Sequence, residues 1–169
     1  MDTQAAIGRV QLRRLSDFIT ARKRNWEYLR LGLSSLDHCL EFALPTHAVS
    51  WNPDDGFCWD SSGCRTDCSW FGFKLAVKPE ASFSRTDLVK ELDRNLIGNR
   101  MLFGGNLVRQ PAFVDLLANR PTAYRTVGQL HNSDQIMEHT FFLGTYPGLT
   151  RLMLNSEIDV IKAFVSKYD

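Results

Sequence analysis

Residues Ser69 to Lys78 alternate without a break: Trp70, Gly72, Lys74 and Ala76 fall on one side, and Phe71, Phe73, Leu75 and Val77 on the other. Successive side chains of a strand point to opposite faces, so a run with one wholly apolar side is a central antiparallel strand that a second layer must cover. The C-terminal segment supplies such a layer. After Thr150, a helix-capping residue, Leu154, Ile158, Ile161, Val165 and Tyr168 step by 4, 3, 4 and 3, the stripe of a helix laid on a core. A chain of 169 residues with 44% hydrophobic content builds one such core rather than two.

The remaining patterns fill in this frame. Asp2 to Arg13 lacks proline and reads as a helix capped by Asp2, with Gly8 marking close packing against a neighbour. Ser16 caps a second helix in which Ile19, Trp26, Leu29, Leu33 and Leu36 face the core, while Arg22, Lys23 and Arg24 form a solvated face. A short strand spans Glu41 to Leu44. From Thr46 to Cys68 periodicity is lost among Asn, Asp, Gly, Ser and Pro, which predicts a long loop, partly folded back because it holds Trp51, Phe57 and Trp59. Ser84 with Asp87 opens a helix that carries Leu88, Val89, Leu92 and Leu96 and stops at Gly98. Met101 to Phe103 reads as a strand entering a turn, Pro111 opens a short helix, Asn132 with Gln135 makes a capping box for another, and Phe141 to Thr145 is a second central strand. Met101, Met137 and Met153 read as core. The order predicts an α+β fold, a small antiparallel sheet with helices on one face.

Charge and composition exclude several functions. Twenty basic and nineteen acidic side chains leave a net charge of +1, which provides no field to gather nucleic acid or acidic membranes. No apolar run approaches the roughly 18–20 residues of a bilayer span, and Asp2 and Arg9 interrupt any signal peptide, so a cytoplasmic protein with reduced thiols is expected. Cys58, Cys64 and Cys68 are spaced x5 and x3, unlike the tighter pairs of zinc sites; free thiols are favoured over a metal site completed by Cys39 or His47, and over a disulfide. His38, His47, His131 and His139 form no metal or relay pattern, and only His131, near Gln129 and Asn132, is a candidate site residue.

The chemistry is concentrated in Ile97-Gly98-Asn99-Arg100-Met101-Leu102-Phe103-Gly104-Gly105-Asn106-Leu107-Val108-Arg109-Gln110-Pro111, where two arginines, an asparagine and an aromatic surround a diglycine. A guanidinium offers a planar, permanently charged fork for an anion, and the glycines let a ligand approach the backbone. Asn106 suits sugar hydroxyls and Phe103 suits stacking. Surface ion pairs for Arg100 and Arg109, and a core position for Phe103, stand as the plain alternatives.

Together with Met1-Asp2-Thr3-Gln4-Ala5-Ala6-Ile7-Gly8, Ser69-Trp70-Phe71-Gly72-Phe73 and Gly144-Thr145-Tyr146-Pro147-Gly148-Leu149, this segment resembles the pyridoxal-phosphate, iron–sulfur nucleotide-sugar 3-dehydratases of lipopolysaccharide O-antigen deoxysugar biosynthesis (the RfbH type), a branch of the DegT/DnrJ/EryC1/StrS sugar aminotransferases. The resemblance covers the C-terminal part of such an enzyme. It implies the small domain of the fold type I pyridoxal-phosphate enzymes, with residues 1–36 as a helical bridge toward a missing large domain and 37–169 as the small domain, its long loop at 46–68. The substrate implied is a nucleotide-linked 4-keto-6-deoxyhexose, met by Arg100, Phe103, Asn106 and Arg109. Leu102 stands where sugar aminotransferases often have a histidine, which agrees with the dehydratase branch. Pyridoxal or pyridoxamine phosphate and a [2Fe-2S] cluster are implied for the full-length enzyme. This chain carries neither their ligands nor a catalytic or metal-binding residue, so the expectation is a lyase fragment inactive alone, forming a homodimer or docking onto a separately encoded large half. The alternatives are a free-standing nucleotide-sugar binding or docking module and a gene remnant of a sugar aminotransferase homologue.

Overall fold

The computed structural model describes residues 2–168. In chain order its elements are α1 (Asp2–Arg13), α2 (Leu15–Gly32), β1 (Leu40–Phe42), β2 (Ala48–Asn52), β3 (Gly56–Trp59), β4 (Gly72–Val77), α3 (Arg85–Arg94), β5 (Asn99–Met101), α4 (Pro111–Asn119), α5 (His131–His139), β6 (Thr140–Gly144) and α6 (Arg151–Val165). Single 3-10 turns occupy Ser34–Leu36 and Leu107–Arg109.

The main sheet is antiparallel throughout, in the order β1-β4-β6-β5, so the two strands predicted to be central are central. Register puts Phe73 opposite Leu143 and Leu75 opposite Phe141, which gathers the apolar side of the alternation onto one face. That face forms a single core with Trp26, Leu29 and Leu33 of α2, Leu88 and Leu92 of α3, and Leu154, Ile158, Ile161 and Val165 of α6. The other face carries Lys74, Phe142 and Arg100 in one cross-strand row. Two helix starts match the sequence reading in detail. The Thr150 hydroxyl accepts from the Met153 amide, and Ser84 with Asp87 makes a reciprocal capping box at α3. No helix among the described residues is long and apolar enough to cross a membrane.

Several expectations are corrected. The segment 46–68 contains a hairpin, β2–β3, whose turn is built by Asn52: its side-chain oxygen accepts from the amides of Asp54 at 3.0 Å and Asp55 at 2.8 Å, and Gly56 takes a φ of 75°. The hairpin lies against α2 through aromatic rings. Trp26, 1% exposed, meets Trp51 edge-on at 5.6 Å and Phe57 at 5.5 Å, and stacks parallel on Trp70 at 4.6 Å. Arg22 does not belong to a solvated face, because its guanidinium donates to the Trp70 carbonyl at 3.0 Å and the Phe71 carbonyl at 3.3 Å, bracing α2 against the entry to β4. Gly8 has open space around it and α1 buries no residue, so the close contact predicted there is not made within this chain. Asp2 lies in the first turn of α1, and Arg14 and Leu130 stand at the caps predicted for Ser16 and Asn132, neither with a side-chain capping bond. Leu96 and Tyr168 are exposed, as are Met101 and Met153.

Candidate functional site

The segment 97–110 is positioned at both ends by regular structure. At its start α3 ends in a Schellman motif: the Ile97 amide donates to the Leu92 carbonyl at 2.9 Å and the Leu96 amide to the Asp93 carbonyl at 3.0 Å. Leu96 rather than Gly98 therefore takes the left-handed position, with a φ of 57°. β5 then pairs with β6, which places Arg100 opposite Phe142 on the face away from the core. There Arg100 lines an open cleft of about 450 Å³ with Asp93, Asn99, Phe142 and Gly144. Its guanidinium makes no hydrogen bond or ion pair among the described residues.

The chain then turns sharply. Phe103 has a φ of 50°, a conformation that costs a side-chain-bearing residue about 1–2 kcal/mol, and it projects into solvent at 82% exposure. Gly105, at φ 58°, passes so close to α5 that an added Cβ would lie 2.5 Å from the Met137 side chain. Asn106 is 3% exposed and committed at both ends of its amide: Nδ2 donates to Asp134 Oδ1 at 2.7 Å, and Oδ1 accepts from the Val108 amide at 3.3 Å. Arg109 donates Nε and Nη2 to the two oxygens of Asp134, the second at 2.7 Å. Gln110 closes the loop by donating Nε2 to the Gly104 carbonyl at 2.8 Å.

Of the four residues singled out in the sequence, two are therefore open and two are anchored. Arg100 and Phe103 face solvent; Asn106 and Arg109 converge on Asp134, a residue that the sequence reading passed over. The Arg109 and Asn106 hydrogen bonds pull the Asp134 carboxyl down to about 2. The same carboxylate raises the Arg109 guanidinium above its usual range. The only available signal was an acid in the first turn of α5, 25 residues away from Arg109. His131, the other candidate, is exposed at the start of α5.

A cleft of about 710 Å³ between the α1–α2 junction and Tyr146-Pro147-Gly148 is lined by residues that include Arg14, Asp17, Phe18 and Arg22, with no lysine or histidine among them to face a cofactor ring. No group of three or more His, Cys, Asp or Glu among the described residues is arranged to hold a metal ion. Among the described residues no cysteine forms a disulfide; Cys39 is buried and Cys58 and Cys64 are exposed. Burial raises the pKa of Cys68 above its ordinary value.

A model of the DegT/DnrJ/EryC1/StrS aminotransferase family matches residues 1–162. The chain is 40% identical over 163 residues to the lipopolysaccharide biosynthesis protein RfbH of Salmonella typhimurium, covering 96% of this chain and 32% of that protein. It is 38% identical over 166 residues to the dTDP-4-dehydro-2,6-dideoxy-D-glucose 3-dehydratase of Saccharopolyspora spinosa, covering 98% and 31%. The chain thus spans about a third of the length of the curated relatives it matches. Among solved structures, it superposes on an E. coli GDP-4-keto-6-deoxy-D-mannose-3-dehydratase with bound hydrated pyridoxal phosphate with a TM-score of 0.66 at 24% identity, covering 92% of this chain and 34% of that one. A GDP-4-keto-6-deoxymannose-3-dehydratase holding GDP-perosamine gives 0.68 at 24% identity, with the same coverage. These likenesses show the fold.

Proposed function

Because this chain belongs to the DegT/DnrJ/EryC1/StrS aminotransferase family, we propose that it is the C-terminal small domain of a pyridoxal- or pyridoxamine-phosphate-dependent 3-dehydratase acting on a nucleotide-linked 4-keto-6-deoxyhexose in lipopolysaccharide deoxysugar biosynthesis, in the cytoplasm. The observation that carries the reading is the 99–110 loop, where Arg100 lines an open cleft without a partner and Phe103, three residues on, stands extruded into solvent. In this proposal Arg100 takes a phosphate of the nucleotide, Phe103 stacks on the sugar or base, and Arg109 adds its remaining Nη1 to the same anion. Asn106 contributes to the sugar-hydroxyl contacts through the loop it anchors. The bound cofactor would supply the electron sink for loss of the C3 hydroxyl, and a [2Fe-2S] cluster of the full-length enzyme the reducing electrons; this domain contributes closure and orientation.

The chain alone is then expected to be colourless and without dehydratase activity. Incubation of the purified 169-residue protein with pyridoxamine phosphate and a nucleotide-linked 4-keto-6-deoxyhexose tests this, and turnover would overturn it. A second reading, a module that docks onto a separately encoded large half, is favoured by one observation: α1 presents Ile7, Val10 and Leu12 to solvent and buries none of them. Activity restored by mixing the chain with a separately expressed large half would support it.

A further inference from the structure

The second half of the 99–110 loop is anchored to α5 by one carboxylate. Asp134, in the first turn of α5, accepts from three donors, Arg109 Nε, Arg109 Nη2 and Asn106 Nδ2. Its side chain is mostly buried under them. Asn106 in turn holds the Leu107–Arg109 turn by accepting from the Val108 amide, and Gly105 is pressed against Met137 one turn further along α5. Without Asp134 the Asn106 amide would be buried with no acceptor, an arrangement that proteins avoid by rearranging. Left outside this frame are Phe103, in a left-handed conformation at 82% exposure, and the Nη1 of Arg109, alongside Arg100 in its open cleft. A strained, exposed aromatic persists only where the surrounding structure fixes it.

We propose that Asp134 is a positioning residue for substrate recognition: its carboxylate locks Asn106 and Arg109 and so holds Phe103 and the free edge of the Arg109 guanidinium outward, toward the diphosphate and ring of a nucleotide-linked sugar. This rests on the functional reading above. A plain surface ion pair would join two charges and leave the loop indifferent to its loss. Asp134 instead joins both ends of the 3-10 turn, Asn106 at its cap and Arg109 at its close, to α5, and its removal breaks all three of these hydrogen bonds at once.

The test uses the full chain in solution, with nuclear magnetic resonance as the probe. In the wild type the Arg109 Nε–H and the Asn106 side-chain amide should exchange slowly with water. In Asp134→Ala both signals should be lost and the Phe103 and Gly105 amides should move toward disordered positions, while the β4 and β6 amides stay in place and certify the fold. Asp134→Asn, which keeps the shape without the charge, should fall between. Titration with guanosine diphosphate should shift Arg100 and Phe103 in the wild type, with affinity falling about tenfold or more in Asp134→Ala and partly recovering in Asp134→Glu. Unmoved Phe103 and Gly105 amides in Asp134→Ala, or guanosine diphosphate bound by that variant as tightly as by the wild type, would overturn the proposal. If guanosine diphosphate shifts no loop residue even in the wild type, the functional reading fails instead, and the exchange and amide signals still decide whether Asp134 holds the loop.

Discussion

Leu96 stands 94% exposed at the left-handed position that ends α3, where glycine is the ordinary occupant because it has no Cβ to strain. The motif around it is complete, with Ile97 and Leu92 making the apolar contact, so the backbone is set by its neighbours rather than by Leu96 itself. Leu96→Gly should therefore raise stability by about 0.5–1 kcal/mol, read as a higher melting temperature; a lower one would show that the side chain is needed in place. Glu157 is the converse case, a charged residue 8% exposed on α6 with a carboxyl oxygen that has no partner. Burial raises its pKa from 4.5 to about 7, so the folded chain holds the proton more tightly than the unfolded one. Its favourable contribution is complete below pH 4.5 and disappears as pH rises through about 7. Glu157→Gln should flatten that part of the stability profile and gain roughly 1–2 kcal/mol at pH 8, after allowance for solvent near the group. A thermal melting series from pH 5 to 8 on both proteins checks the sign.

At the scale of elements, the hairpin β2–β3 has no core of its own and stays in place through aromatic contacts with α2. Trp26→Ala removes the ring that Trp51, Phe57, Trp70 and Phe73 all meet, and should cost about 3–5 kcal/mol, with cleavage by a protease appearing first between 46 and 68. Intact resistance to proteolysis in that segment would show that the hairpin is held by something else. The hairpin was not legible as strands because its faces mix polar and apolar side chains and its register shifts between Ala48 and Ser50. Only the excess of aromatics, Trp51, Phe57 and Trp59, pointed to a segment folded back onto the domain. By contrast β4, α3 and α6 were legible, since each has one buried face and two of them carry side-chain caps that sequence spacing reveals. The candidate loop was half legible. Arg100, Phe103, Asn106 and Arg109 are local to one motif, whereas Asp134, which decides what two of them can do, arrives from another element by a tertiary contact with no sequence spacing of its own.

For the whole molecule, α1 is the element that the domain leaves out. Its first-turn acid and last-turn base suit a helix, yet none of its side chains is buried, and Ile7, Val10 and Leu12 add apolar area that water disfavours at about 25 cal/mol per Å². Purified chain should therefore associate as concentration rises, and Val10→Glu should reduce the association in sedimentation velocity; a protein that stays monomeric at high concentration would show that α1 finds its cover within the chain or frays. The hairpin cluster has an optical consequence for such experiments. Trp26 and Trp70 lie parallel at 4.6 Å, Trp51 touches Trp26, and Trp59 neighbours Phe57, so all four tryptophans of the chain sit in one neighbourhood. Indoles stacked so closely couple their transitions, and the chain should show an exciton couplet in its far-ultraviolet dichroism. Its native emission then reports on the seating of the hairpin and is silent about the 99–110 loop, where a tryptophan placed at Phe103 would give a separate signal.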